Sequence, residues 1–555
     1  MDFSLHSYFS ILYIVAFLPI VLVAYQVVAQ RLRWAVLLVA SYAFFWAISS
    51  KLIVFILIST VSVYLAGRKM GALFSERDAL IAQDKTRKKE LKKLYQKKAR
   101  LVCGLGVGFN LLLLACLKYL VFFGEVAGSL LTLFGLNVPV AVPYIGVPIG
   151  ISFYTLMAAS YLFDIYRGTI APDTNLGRIA LFLSFFPQIM EGPICRYGQT
   201  AEQLWAGTPI NKDNLYRGSV RILWGFAKKM IVADRLNMVV KPIFADYTSY
   251  DGGVVAAAAV LYTLQLYCDF SGCMDVALGT ARIFGVALPE NFRHPFFSRT
   301  ASEFWQRWHI TLGSWLRDYI FYPLSLSAPM KSLTKAARHR IGNRYGPLLA
   351  GSVTLFCVWF ANGLWHGAGS QYIFFGLYYF VIILLGGLVE PLAQSVCAKL
   401  HINREGTAWH TFQWLRTLVV VFVGELFFRA EGMDAGLYMF GQLVGNFTLE
   451  SFTNGAFMAA WGILGLVWVK YLMPLIFDLV HKIPWNWRYA VTTVALVLMI
   501  IDVGLTLVSY DRWFSRQVGI PAETAVEEFC DEHYPDAWME HRFQTMTMNA
   551  ENATR

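Results

Sequence analysis

The chain has 555 residues, of which 57% are hydrophobic, 16% aromatic and only 15% charged, with a formal net charge of +11 and a mean hydropathy of +0.50. Soluble domains carry about 25% charged residues, so this composition excludes a soluble enzyme. It also makes the surplus of Lys and Arg a matter of membrane topology and not of nucleic-acid binding.

The segment before the first apolar stretch holds Asp2 and His6 but no Lys or Arg, so no cleavable signal is expected there. Apolar stretches at 8–28, 34–50 and 52–66 are long enough, or nearly so, to cross a hydrocarbon core as helices. Arg31 and Arg33 follow the first, which puts the N-terminus outside and returns the chain to the cytoplasm at Arg68, Lys69 and the run KTRKKELKKLYQKKAR. Lys51 alone falls on the wrong side. In the run, Lys85, Arg87, Lys88, Lys89, Lys92, Lys93, Lys97, Lys98 and Arg100 face the single acid Glu90. That reads as a solvated cytoplasmic helix touching anionic headgroups, each charge worth about 1 kcal/mol near the surface.

Further apolar stretches follow at 101–123, 145–165, 350–388, 417–428, 457–477 and 489–507. The expectation is an all-α polytopic membrane protein with roughly 10–12 crossings plus short or re-entrant helices. Four regions are expected: N-terminal transmembrane helices over 1–130 with a basic cytoplasmic loop at 67–100, a core over 131–390, C-terminal transmembrane helices over 391–510, and a polar, acidic tail over 511–555. The cysteines form no CxxC pair and read as buried free thiols, with neither a metal site nor a disulfide frame.

The central region mixes Gly, Pro, aromatics and charge. Ionisable groups at membrane depth persist where they line a cavity or pair internally, and broken helices there need protein or water around them. A polar funnel wrapped in protein follows. In FWQRWHITLGSWLRD, a helix places His309 on one face with Gly313, Leu316 and Ile320, surrounded by Trp305, Trp308 and Trp315. The tryptophans have the composition of an interfacial belt, and Glu303, Arg307, Arg317 and Asp318 can pair among themselves. His309 itself is read either as a structural group at a helix bend or as a reactive one. His366, in NGLWHGAG, is a lone imidazole in an apolar span flanked by Gly363, Gly367 and Gly369. It is the side chain that changes charge near neutral pH, as a general base must. Arg217, Arg221 and Lys228 recur at spacings of four and seven, one helix face. They suit either the phosphates of a donor or lipid headgroups.

In this order, SFYTLMAASYLFDIYRG, FFPQIMEGPICRY, DFSGCMDVALGTARIFGVALPENFRHPFF, EFWQRWHITLGSWLRDYIFYPL and NGLWHGAG resemble the membrane-bound O-acyltransferase family, over roughly residues 147–376. The alginate O-acetylase-like bacterial branch is the nearest in pattern, with the teichoic-acid D-alanyl transfer protein a cousin. The resemblance implies helices around a central funnel or tunnel, and transfer of an acyl group from a cytoplasmic thioester to a hydroxyl on the outer side. It places the family's essential histidine on His366 and its second histidine on His309. Asp318, Arg317, Trp305, Asn362, Trp365 and Glu303 would line the substrate path, with Arg217, Arg221 and Lys228 toward the donor. It implies no metal and no tightly bound cofactor, acetyl-CoA or an acyl-carrier thioester as co-substrate, an extracytoplasmic partner protein, and residence in a bacterial plasma membrane. The tail beyond residue 510 departs from relatives that end soon after their last span. D-alanyl transfer to teichoic acid is the runner-up, and a transporter or lipid flippase the reading from another class.

Overall fold

A computed structural model describes residues 5, 7–133 and 145–454. The expected spans at 457–477 and 489–507 and the tail at 511–555 lie outside the described residues. Every regular element among the described residues is helical, and six stretches are long and apolar enough to cross a membrane: Gln30–Gln83, Lys85–Leu133, Gly252–Ile283, Ala328–His366, Ser370–Lys399 and Thr407–Arg429. The first is two helices, Arg33–Ser49 and Ile53–Gln83, divided where Ser50 takes a left-handed backbone with φ of 44°. The basic run is the first part of a single helix, Lys88–Leu133, that continues into an apolar span.

The chain divides into two compact units. One comprises Met1–Phe226, Cys273–Pro295 and Glu303–Val358; the other comprises Ala227–Gly272, Phe296–Ser302 and Trp359–Arg555.

In the first unit, helices Ile53–Gln83, Lys88–Leu133 and Ile151–Arg167 pack on one another. Lipid is as apolar as leucine, so close packing and buried hydrogen bonds hold such helices together. Gly106 lets Leu162 approach, and Asn110 donates to the Gly106 carbonyl at 2.8 Å and to Ser62 at 3.1 Å. Helix Ile151–Arg167 starts at Gly150, whose φ of 69° and contact with the Ile189 carbonyl leave no room for a Cβ.

Beside it run two short helices, Leu176–Ser184 and Phe186–Ile189, with every residue from Ile179 to Ile189 buried. Pro187 lacks an N–H, and the chain bends at Phe185. The backbone groups this frees are met by side chains. The Phe186 N–H donates to Ser41 Oγ at 3.0 Å, Tyr8 donates to the Phe186 carbonyl at 3.0 Å, and Gln188 donates to the Phe182 carbonyl at 2.6 Å. Short helices wholly inside protein are what membrane depth permits.

The core of the second unit is built from Val239, Val240, Ile243 and Phe244 of helix Asp234–Ala245, Val255, Ala258, Leu261 and Tyr262 of helix Gly252–Ile283, Leu426 and Phe427 of helix Thr407–Arg429, and Met439. Helices Ser370–Lys399 and Thr407–Arg429 pack together within it.

Candidate active site

His309 belongs to the first unit. The sequence pattern suggests one helix through FWQRWHITLGSWLRD, but the structure breaks it into Ala301–Arg307 and Ile310–Leu316, with His309 between them at φ 47°, ψ 51°. His309 therefore does not share an unbroken helical face with Gly313, Leu316 and Ile320. A left-handed backbone on a non-glycine residue costs about 1–2 kcal/mol, and surrounding contacts hold it. Ile310 N–H donates to the Asn291 carbonyl at 3.0 Å, Thr311 N–H to Asn291 Oδ1 at 2.9 Å, and Arg293 N–H to the Arg307 carbonyl at 2.9 Å. The imidazole is 4% exposed, its Nδ1 3.3 Å from Asn291 Oδ1.

The tryptophans around it are not an interfacial belt. Trp308 and Trp315 are each 5% exposed; Trp308 stacks on Phe304 at 5.4 Å, and Trp315 Nε1 donates to the Leu156 carbonyl at 2.9 Å. Internal packing takes them instead of the headgroup layer. Trp305 is half-buried and meets Phe304 edge-on.

The charged neighbours pair, Glu303 with Arg307 and Arg317 with Asp318. Asp318 lies on a π-helix, Arg317–Phe321, a form that gathers at functional sites. It also takes Arg196 at 3.6 Å, and its carbonyl takes Arg167 at 2.9 Å. Both guanidinium groups lie over the ring of Tyr319, whose hydroxyl donates to Asp164 at 2.9 Å. Sequence reasoning left Asp164, Arg167 and Arg196 unassigned, because only the fold joins them to Asp318.

His366 belongs to the second unit. Residues 350–388, one apolar stretch in sequence, form the end of Ala328–His366 and the start of Ser370–Lys399, and the histidine is the last residue before the break. The Gly367-Ala368-Gly369 link turns the chain without a left-handed glycine, and Gly369, extended at φ −62° and ψ 145°, precedes the next helix. The half-buried ring sits in an aromatic collar: Trp365 and Phe428 at 5.0 Å, Phe375 at 6.1 Å and Tyr372 at 6.4 Å between centroids. Asn362, one turn back, is 4% exposed. The small residues serve helix packing: a Cβ on Gly363 would stand 2.5 Å from the Tyr372 carbonyl oxygen, and one on Gly376 would stand 2.4 Å from that of Trp359. A residue that the sequence reading passed over, Glu425, is 1% exposed in the same unit; its only signal is an acid inside the apolar run VVVFVGELFF.

The three cations suggested for a donor are held by neighbours. Arg217 pairs with Asp213 at 2.8 Å. Arg221 reaches Asp275 at 2.9 Å and grips both oxygens of Glu290 at 2.7 and 2.6 Å. Burial works against the Arg221 charge, but Glu290 and Asp275 outweigh it and hold its pKa above the ordinary value. The α-helix carrying both ends at Phe226 and passes into a π-helix, Ala227–Ala233. Lys228, on the π-helix and 8% exposed, donates to Ser271 at 2.8 Å. Among the described residues no three His, Cys, Asp or Glu side chains cluster as a metal set. An open apolar groove of about 560 Å³, lined by residues such as Phe17, Val21, Val36 and Val39, has no titratable group in its walls.

The family model described as MBOAT, membrane-bound O-acyltransferase family, matches residues 170–337. A probable alginate O-acetylase of Pseudomonas syringae pv. tomato is 33% identical over 435 residues, 78% of this chain and 74% of that protein. The chain belongs to the membrane-bound O-acyltransferase family. It is thus a multi-pass membrane enzyme that transfers acyl groups. Two other proteins are similar over shorter stretches. A peptidoglycan O-acetyltransferase of Helicobacter pylori is 29% identical over 54% of this chain and 57% of its own, and a teichoic acid D-alanyltransferase of Bacillus subtilis is 30% identical over 42% and 58%. A model of putative ABC-transporter type IV matches residues 445–507, almost all outside the described residues.

Proposed function

We propose that this O-acyltransferase carries an acetyl group from a cytoplasmic thioester, acetyl-CoA or an acylated carrier, across a bacterial plasma membrane for O-acetylation of an exported polysaccharide or cell-wall polymer. Support comes from relatives named for alginate and peptidoglycan O-acetylation. The acetyl reading leads over D-alanyl transfer because similarity to the D-alanyltransferase covers 42% of the chain, against 78% for the alginate O-acetylase.

The observation that carries the chemistry is the half-buried imidazole of His366 at a helix break, walled by aromatic rings. An intramembrane titratable group in protein surroundings is there for function by default. In the proposed reaction the acceptor hydroxyl gives its proton to His366 as its oxygen attacks the thioester carbonyl. The C–O bond forms, the C–S bond breaks, and the departing thiolate takes the proton back from the imidazolium. General-base help of this kind contributes about 10²–10⁴-fold. The substrate-path roles of His309, Asp318, Arg317, Trp305, Glu303, Asn362 and Trp365 rest on the family resemblance alone. No tightly bound cofactor takes part, and an extracytoplasmic partner protein completes delivery to the polymer.

The test uses membranes given radiolabelled acetyl-CoA or a labelled carrier thioester in separate reactions. Wild type transfers label to polymer or partner, and His366→Ala, still folded in the membrane, does not. Appreciable turnover by His366→Ala removes that residue from the role, and movement of label without transfer returns the transporter reading.

A further inference from the structure

We propose that Asn291 is a positioning residue that fixes the tautomer of His309, placing the ring proton on Nδ1 and the lone pair on Nε2. The inference rests on the reading of His309 as part of the acyl-transfer path.

Asn291 is 1% exposed and stands at the start of NFRHPFF, 18 residues before the histidine. Three contacts converge on its Oδ1: the Thr311 N–H at 2.9 Å, the Thr311 hydroxyl at 3.0 Å and His309 Nδ1 at 3.3 Å. A backbone N–H can only donate, so the atom it reaches is the amide oxygen and not the amide nitrogen. The Asn291 Nδ2 end is occupied by Met274 Sδ at 3.3 Å, which fixes the same orientation from the other side. The Thr311 hydroxyl takes the Ile194 N–H at 3.1 Å on its own lone pair, which leaves its proton for Asn291.

The imidazole nitrogen facing an oxygen already surrounded by donors must donate as well. An unprotonated Nδ1 there would set two lone pairs against each other inside the protein, and the ring nitrogen, not the oxygen that Thr311 already satisfies, would lack a donor. The neutral ring is therefore Nδ1–H, and Nε2 is the nitrogen that can accept a proton. The left-handed backbone of His309 fits this account, since the same residue Asn291 holds it through Ile310 N–H. Strain kept in place by surrounding bonds is where a functional requirement shows.

A bland alternative exists, in which Asn291 merely caps helix Ile310–Leu316 from outside. The two differ in what the ring nitrogens do. The protein, labelled with ¹⁵N-histidine and reconstituted in lipid nanodiscs, is measured by NMR, with the His309 signals found by subtraction of His309→Gln. The expected result is Nδ1–H in wild type and in Asn291→Asp, which keeps the acceptor. Asn291→Leu, of similar size with no acceptor, loses that tautomer and about 10²-fold in polymer acylation, and Asn291→Asp recovers most of the loss. Nε2–H in wild type overturns the proposal, and this measurement stands even if Asn291→Leu fails to fold. An unchanged tautomer in a folded Asn291→Leu overturns it too. If His309→Gln acylates normally, the functional reading of His309 fails by itself, separately from the tautomer.

Discussion

Gly363 lies against the carbonyl oxygen of Tyr372, so close that a methyl group on it would stand 2.5 Å from that oxygen. The contact is to backbone, which cannot rotate away, and it sits three residues before His366. Gly363→Ala must push the following helix aside and shift the imidazole within its collar. Overpacking of this kind costs about 1–3 kcal/mol. A lowered melting temperature and a tenfold or larger loss of acyl transfer are expected, roughly the effect of a misplacement near 1 Å. Gly351→Ala and Gly386→Ala, where nothing lies within 4 Å, serve as controls and keep both stability and turnover. A fully active Gly363→Ala would show that the two helices have slack there.

Arg221 bridges Asp275 and Glu290, and its side chain and that of Asp275 are 29% and 12% exposed. Arg221→Gln leaves two acids side by side, one of them largely buried, at a cost of about 1–3 kcal/mol after allowance for solvent. The expected outcome is a lower melting temperature with the KM for the thioester donor unchanged. The combination Arg221→Gln with Asp275→Asn and Glu290→Gln regains most of the stability. A raised donor KM with no thermal loss would instead assign Arg221 to the donor.

The helices were legible in the sequence where they are plainly apolar, and so was pairing among Glu303, Arg307, Arg317 and Asp318, though not that Glu303 takes Arg307 and Asp318 takes Arg317. What was not legible came from residues far apart in the chain. FWQRWHITLGSWLRD has an unbroken helical pattern; the break at His309 is made by Asn291, which bonds to Thr311 across 20 positions. The face of Arg217 and Arg221 looks poised for phosphate until acids 54 and 69 residues away close on Arg221. The break after His366 did carry a local signal in Gly367, Ala368 and Gly369, but small residues in an apolar run equally fit close packing, and Gly363 and Gly376 turned out to serve that purpose.

Asp251 stands just before helix Gly252–Ile283 and accepts hydrogen bonds from Val254 N–H at 2.9 Å, Ser451 at 2.7 Å and Thr448. Burial raises its pKa, but the bonds from Thr448, Val254 and Ser451 outweigh burial and hold it below the usual carboxylate range. A depressed folded-state pKa means that the ionised form adds stability above the unfolded pKa, and that this is lost as pH falls through the folded one. Asp251→Asn should therefore lower the melting temperature at pH 7, and the gap to wild type should narrow as pH drops below the ordinary carboxylate range. A gap independent of pH would mean that the carboxylate charge does not hold the Thr448–Ser451 segment to the helix.

Phe428 meets the His366 ring at 5.0 Å and nearly at right angles, from helix Thr407–Arg429, and Phe375 closes on both. If His366 is the proposed base, these rings decide which hydroxyl reaches it. A base that activates a sugar hydroxyl activates water equally well, and exclusion of water is what prevents loss of the acyl group by hydrolysis. Phe428→Ala removes one wall while leaving the imidazole and Trp365 in place. The expected result is a change in partition and not only in rate: more labelled acetate set free per acetyl delivered to polymer, several-fold above wild type. Phe428→Leu, which refills most of the volume, should fall between. His366→Gln in the Phe428→Ala background should abolish both products, because hydrolysis and transfer would use the same base. If Phe428→Ala slows both products equally, the collar merely packs the helices and the proton acceptor lies elsewhere.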